Sequence, residues 1–226
     1  MIRISKPLFS LCLLLLQISA HDARAQSIEF DQTVSPELKS QVQNDFAFLE
    51  SITSDKTSPL HQEIFGPVDG PTYRKWFEKR VFVFAVSECG GASSVACQDN
   101  QYPNEVFVTD HYVNDGYPQV ARLMTVFHEA RHNEIENNHW PHKTCPGSFT
   151  EHSIWTGASL RYKSACDNTE YGSYASAAVM LHNISKFCTN CSSKTKADAQ
   201  LYSDDQIKRV TASTPRATLD EDFAFE

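Results

Sequence analysis

The chain has 226 residues, of which 41% are hydrophobic, enough to bury a core and too many for wholesale disorder. Its 20 Lys and Arg against 28 Asp and Glu leave a net charge of -8, which argues against a nucleic-acid binder. Eight Gly and ten Pro exclude a collagen-like or fibrous chain.

The longest apolar run lies at the N-terminus. Arg3 and Lys6 precede the stretch from Leu8 to Ile18, which only Ser10 and Gln17 interrupt. It is shorter than the about 20 apolar residues a spanning helix needs. Ala23-Arg24-Ala25 then puts small residues where signal peptidase requires them, so residues 1–25 read as a signal peptide cut before Gln26. The expected product is secreted or periplasmic, free of the membrane after cleavage, and a monomer. Without Cys12, six of the seven cysteines remain. An even count in an exported chain predicts disulfides, and proximity pairs them as Cys89–Cys97, Cys145–Cys166 and Cys188–Cys191. The rival reading, metal ligation by Cys188-x-x-Cys191, lacks a second pair of the same kind.

Residues 26–35 read as a loose leader. Leu38, Val42, Phe46, Leu49 and Ile52 recur at helical spacing and predict a helix over Glu37–Ser54. Pro59, Gly66, Pro67, Gly70 and Pro71 make 55–71 a loop. A short helix over Tyr73–Lys79 leads into a strand, Arg80–Val86, rich in β-branched and aromatic residues. A second strand spans Glu105–Asp110. Asp115-Gly116 marks a turn, and Pro118 fits the start of a helix running to about Asn137. Residues 138–150 read as polar loop, Ser153–Lys163 as a helix, and Asp167–Phe187 as another, with Tyr174, Ala178, Leu181 and Ile184 on one face. The charged segment after Thr195 is expected to be a mobile acidic tail from about residue 200. No repeat or linker divides residues 26–226, so one α+β domain is expected.

The chemistry is concentrated in Leu123-Met-Thr-Val-Phe-His128-Glu129-Ala-Arg-His132. This is H-E-x-x-H on an amphipathic helix. Residues i and i+4 share a helix face, so both imidazoles can reach one ion. Glu129 can face a metal-bound water and take its proton. Chance would produce such a motif in a chain of this composition with odds of roughly two in a hundred. Arg131, inside the motif, reads as a solvent-side or salt-bridging residue.

On these residues the sequence resembles the zincin metallopeptidases, in which the two histidines bind zinc and the Glu is the general base. The resemblance implies a zincin-like domain: a small sheet packed on the active-site helix, with further helices C-terminal. It implies one Zn2+ per chain and a peptide or protein substrate. The metzincin continuation fails, since Ile135 and Asn138 stand where that pattern has Gly and His. No thermolysin-like ligand helix follows. The deuterolysin-like aspzincins are nearer, with an Asp before Tyr-Gly; a related bacterial family is the other reading. Here Asp167 lies 35 residues after His132, ahead of Tyr171-Gly172, although no Gly-Thr precedes it and one extra residue intervenes.

Asp167 is therefore the expected third ligand, with Glu170 as the alternative. Asp167-x-x-Glu170 also resembles a capping box, a competing role for the same carboxylate. His139 and His142 are further candidates, disfavoured by the short loop that would have to turn back. A Cys145–Cys166 disulfide would tie that loop to the residue beside Asp167. Tyr171, or its neighbours Tyr162 and Tyr174, could stabilise an oxyanion. Strand Glu105–Asp110 could align a peptide as an edge strand. Two other functions fit the same motif: a zinc amidase acting on cell-wall amide bonds, and a non-catalytic exported protein whose zinc is closed by a fourth ligand such as His139 or His142. Asn183-Ile-Ser and Asn190-Cys-Ser match glycosylation sequons.

Overall fold

Capping chemistry sets the first helices. Helix α1 (Pro36–Ser51) starts where the Ser35 side chain accepts the Leu38 N–H, with Pro in the first turn. Its apolar stripe of Leu38, Val42, Phe46 and Leu49 is buried. Ser58-Pro59 opens a short helix α2 (Pro59–Ile64), in the segment expected to be loop. Helix α3 (Gly70–Glu78) is capped by Asp69. Gly70 is needed there: a Cβ would lie 2.1 Å from the Glu50 carbonyl oxygen, so only glycine lets α3 start against the end of α1.

The computed structural model describes residues 28–89, 94–114, 116–211 and 217–226. The expected signal peptide, Asp115 and most of the loop between Cys89 and Cys97 lie outside the described residues. Four strands form a mixed sheet: β1 (Glu29–Phe30), β2 (Val83–Val86), β3 (Ala96–Cys97) and β4 (Glu105–Val108), in the order β1-β2-β4-β3. β1, β2 and β4 run parallel; β3 is antiparallel to β4, pairing Ala96 with Val108. The expected loose leader is thus partly a strand, held by hydrogen bonds from Glu29 and Asp31 to the Phe82 and Phe84 carbonyls.

After the short α4 (Asp110–Asn114) comes the central helix α5 (Gln119–His132), which carries the motif. It is apolar almost all round because it lies between the sheet, α1 and the C-terminal helices. Phe127 anchors it. Its ring stacks on Trp76 at 5.4 Å and meets Phe77 at 5.2 Å, with Phe65 and Tyr73 completing the cluster. Burying one such ring contributes about 1.5–3 kcal/mol. The next residue, about 100° round the helix, is His128, so the aromatic anchor fixes the helix rotation that aims the motif.

The motif helix ends earlier than its expected limit near Asn137. A short 3-10 turn η1 (Ile135–Asn137) follows, and then Asn138, His139 and Trp140 all adopt positive φ, at 52°, 60° and 44°. Non-glycine residues in this region cost about 1–2 kcal/mol each, so the turn must be held. Glu134 holds it: its carboxylate accepts the Trp140 indole N–H at 2.6 Å and the Asn137 amide at 2.9 Å.

Strands β5 (Lys143–Thr144) and β6 (Ser164–Cys166) pair antiparallel and bracket residues 145–163. The helix expected at Ser153–Lys163 is not formed. The Ser153 hydroxyl accepts the Trp155 and Thr156 N–H groups, and Gly157 sits at φ +68°, so the segment closes into turns. Helix α6 (Ser173–Phe187) starts six residues later than the Asp167 expected. It packs on α7 (Ser193–Lys208), while α8 (Ala217–Ala224) packs on α2 and α6. The expected mobile tail is thus replaced by helices. Leu219 is fully buried, and Asp222 bonds the Ser58 hydroxyl and Leu60 N–H at 2.7 Å each. The result is an α+β architecture with small sheets, and no described helix is long and apolar enough to cross a membrane. The three expected cysteine pairs come together, with Cα separations of 6.1, 5.2 and 5.6 Å in chain order.

Candidate metal centre

His128 and His132 project from α5 into a cleft of about 1290 Å³. Their Nε2 atoms each lie 3.1 Å from Nε2 of His142, and the three ring nitrogens form one compact group. His142 arrives from the loop after the left-handed turn, which brings the chain back within ten residues of His132.

Each ring is fixed from behind. His132 Nδ1 lies 2.7 Å from the His139 carbonyl, His142 Nδ1 lies 3.1 Å from Asp167 Oδ1, and the His128 ring donates to the Ser173 carbonyl. These acceptors place the Nδ1 proton of His132 and of His142, which leaves Nε2 of each facing the centre. Burial holds His132 down to about 4 and His128 well below its usual range, so both rings are neutral near pH 7. His142 Nε2, 3.1 Å from both other Nε2 atoms, is placed to share a cation with them. At bonds of about 2.0–2.1 Å, tetrahedral ligand nitrogens stand about 3.3 Å apart, close to the spacing here. The donor set therefore fits a metal ion.

Asp167, the expected third ligand, is not in this group. One oxygen faces His142; the other accepts the Tyr174 N–H at 2.7 Å and the Ala175 N–H at 3.3 Å. Its carboxylate caps α6 and orients His142. Gly172 makes this possible, since a Cβ there would meet Asp167 Oδ2 at 2.2 Å. Glu170 is half-buried and also outside the group. The Cys145–Cys166 disulfide sits between these parts: Cys145 is three residues after His142 and Cys166 precedes Asp167.

Glu129 lines the cleft beside His128. Burial raises its carboxyl to about 8, against the opposing hydrogen bond from the Gln98 backbone N–H. Tyr171, expected at an oxyanion, points elsewhere: its hydroxyl bonds Glu63 at 3.1 Å, and its carbonyl accepts from Arg131. Tyr162 is exposed. Tyr174 is the tyrosine of the cleft, its ring 4.5 Å from those of both His142 and His128. Burial pushes its phenol up to about 12, so it stays protonated. Arg131 is buried rather than solvent-side, paired with Glu134 at 2.6 Å; Arg80 binds the same carboxylate oxygen. Strand β4 is interior, and the cleft edge is β3. The Asn183 sequon is buried, and the Asn190 amide nitrogen donates to the Ser51 carbonyl.

Sequence reasoning gave His142 little weight. The signal available was its place beside Cys145, because a Cys145–Cys166 bond brings it to Asp167. Comparison with models of protein families, with curated proteins and with solved structures finds no match for this chain.

Proposed function

We propose that the chain is an exported zinc metallopeptidase that hydrolyses peptide bonds in peptide or protein substrates. The observation that carries this reading is the convergence of three histidines, with His142 Nε2 3.1 Å from Nε2 of both His128 and His132, and with the His132 and His142 rings each oriented by an acceptor at Nδ1. Zinc is the metal that three imidazoles and one open position suit best. Bound there, it would lower the pKa of a water ligand towards about 7 and polarise a carbonyl.

The protein's own residues supply the rest. His128 and His132 stay neutral, and His142 is held by Asp167. Glu129, as its carboxylate, takes a proton from the attacking water and passes it to the leaving amine; burial favours its protonated form, and a cation held by the three imidazoles would favour the carboxylate. The Tyr174 hydroxyl, protonated at neutral pH, is available as a donor. A closed structural zinc would need a fourth protein ligand, and among the described residues the group has three. The disulfides support an oxidising, extracytoplasmic location.

The test is hydrolysis of a quenched peptide library beside cell-wall peptides, with and without chelator. Wild type should cut peptides, lose activity to chelator and regain it with zinc. Glu129→Gln should keep its zinc and lose about 100-fold or more in kcat. Cleavage of cell-wall amides alone would favour the amidase, and undiminished activity in Glu129→Gln would remove the general base.

A further inference from the structure

Beside the metal centre the cleft holds a buried cation. Arg209, at the end of α7, is 4% exposed yet lines the cleft. Its guanidinium lies 4.9 Å from the centroid of the Tyr174 ring. That ring is in turn 4.5 Å from the rings of His128 and His142, so one aromatic ring separates Arg209 from the candidate ligands.

Arg209 has donor capacity its neighbours do not use. Among the described residues it makes a side-chain hydrogen bond with Tyr174 and one ion pair, Arg209 Nη2 to Asp205 Oδ2 at 2.9 Å. That same oxygen also accepts from the Gln206 side chain at 2.7 Å. Arg209 Nε is buried without any hydrogen-bond partner. A guanidinium presents five N–H donors in a planar fork matched to a carboxylate, and a buried charge left underused is costly. Contrast Arg131 and Arg80, which share the Glu134 carboxylate deep in the fold. The same cleft lining holds Lys163, Gln206 and Trp155, and its acids are Glu88, Asp99 and Glu129.

We propose that Arg209, set on Tyr174, is a carboxylate-binding subsite next to the metal centre, so that the preferred substrate carries an anionic group within a residue or so of the scissile bond. Two sources share this chemistry: an Asp or Glu side chain, and the free C-terminal carboxylate of a peptide. The overall negative charge of the protein would suggest basic substrates; the local cation reverses that expectation where the reaction occurs.

This inference rests on the peptidase reading, and the experiment separates the two. A set of short alanine-rich peptides carries one Glu or its Gln counterpart, stepped through each position, with a free or amidated C-terminus. Hydrolysis is measured on the zinc-loaded wild type, Arg209→Lys and Arg209→Gln. Binding is measured by calorimetry on zinc-loaded Glu129→Gln, alone and combined with Arg209→Gln. The quantity read is the acid-to-neutral ratio within each protein, which cancels any general loss of activity.

Wild type should favour an acid at one position by about 10–100-fold in kcat/KM, the gain from a charge-assisted hydrogen bond. The ratio should shrink in Arg209→Lys, which keeps charge without the fork, and vanish in Arg209→Gln. A preference for Glu at an internal position identifies a side-chain subsite; one for the free over the amidated terminus identifies a C-terminal subsite. Hydrolysis without any acid preference would overturn the subsite and leave the peptidase reading standing. Absence of hydrolysis with a tenfold binding preference that Arg209→Gln removes would do the reverse. A preference unchanged in Arg209→Gln would overturn the assignment to Arg209.

Discussion

Replacing Asp167 by Asn distinguishes an orienting carboxylate from a metal ligand. In the wild type, Asp167 Oδ1 accepts from His142 Nδ1 at 3.1 Å and Oδ2 accepts two amides at the start of α6. Asn keeps one acceptor, enough to cap the helix, and Asn is itself a good capping residue. Its other end is an NH2 group, which cannot accept from His142. The imidazole then loses the partner that fixes its tautomer and raises its basicity. Loss of such a partner costs about 10–100-fold in metal affinity, or about 1.4–2.7 kcal/mol. Stability without metal should fall by about 1 kcal/mol or less, since the cap survives. The assay is zinc competition against a fluorescent chelator, with Asp167→Asn beside His142→Ala. We expect a graded loss in the first and a much deeper loss in the second. Deep loss in Asp167→Asn with near wild-type affinity in His142→Ala would refute the assignment, and unchanged affinity in Asp167→Asn would refute the orienting role.

Three further outcomes are expected. Gly172→Ala drives a Cβ into Asp167 Oδ2, so the carboxylate must shift and its Oδ1 contact with His142 is disturbed; zinc affinity should fall about tenfold and stability by about 1–3 kcal/mol, whereas unaltered zinc titration would show that the carboxylate has room to spare. Replacing both Cys145 and Cys166 by Ala opens a loop of sequence separation 21; stability should drop about 3 kcal/mol and zinc binding should weaken, and an unchanged melting temperature would contradict the clamp. His61 is fully buried between the Gly66 carbonyl and the Tyr73 hydroxyl, and burial lowers it to about 3. The unfolded chain therefore binds the extra proton between about pH 6.5 and 3, so the contribution of His61 is complete above pH 6.5 and lost on acidification through that window. It amounts to about 5 kcal/mol at most. Denaturant unfolding across this range should show a shallower acid loss in His61→Gln, and parallel slopes would rule His61 out.

What was legible in the sequence was local. H-E-x-x-H sits on a helix because His128 and His132 share a face and Leu123 to Phe127 bury the other sides. The disulfides follow from proximity, and the main strands from β-branched and aromatic runs. What was hidden is set by tertiary contact. His142 reaches the metal group through three successive positive-φ residues, a turn no propensity favours, held by Glu134 from the preceding turn. Asp167 matched a family motif by position, but the glycine that lets its carboxylate reach the α6 amides acts five residues later. The C-terminal helices read as tail because α7 buries only Ala199, Tyr202, Ser203 and Gln206, too sparse a stripe to stand out from charge. The Ser58-Pro59 start of α2 was present, masked by surrounding Pro and Gly.

The central claim is that His128, His132 and His142 hold one zinc ion with an open position. A crystal structure of the zinc-loaded protein, with an anomalous map at the zinc edge, tests it most directly. A single peak about 2.0–2.1 Å from the three Nε2 atoms, with solvent at the fourth position and Asp167 on His142, is the predicted result. A peak bound by the Asp167 carboxylate in place of His142, or no peak among these residues, would contradict it.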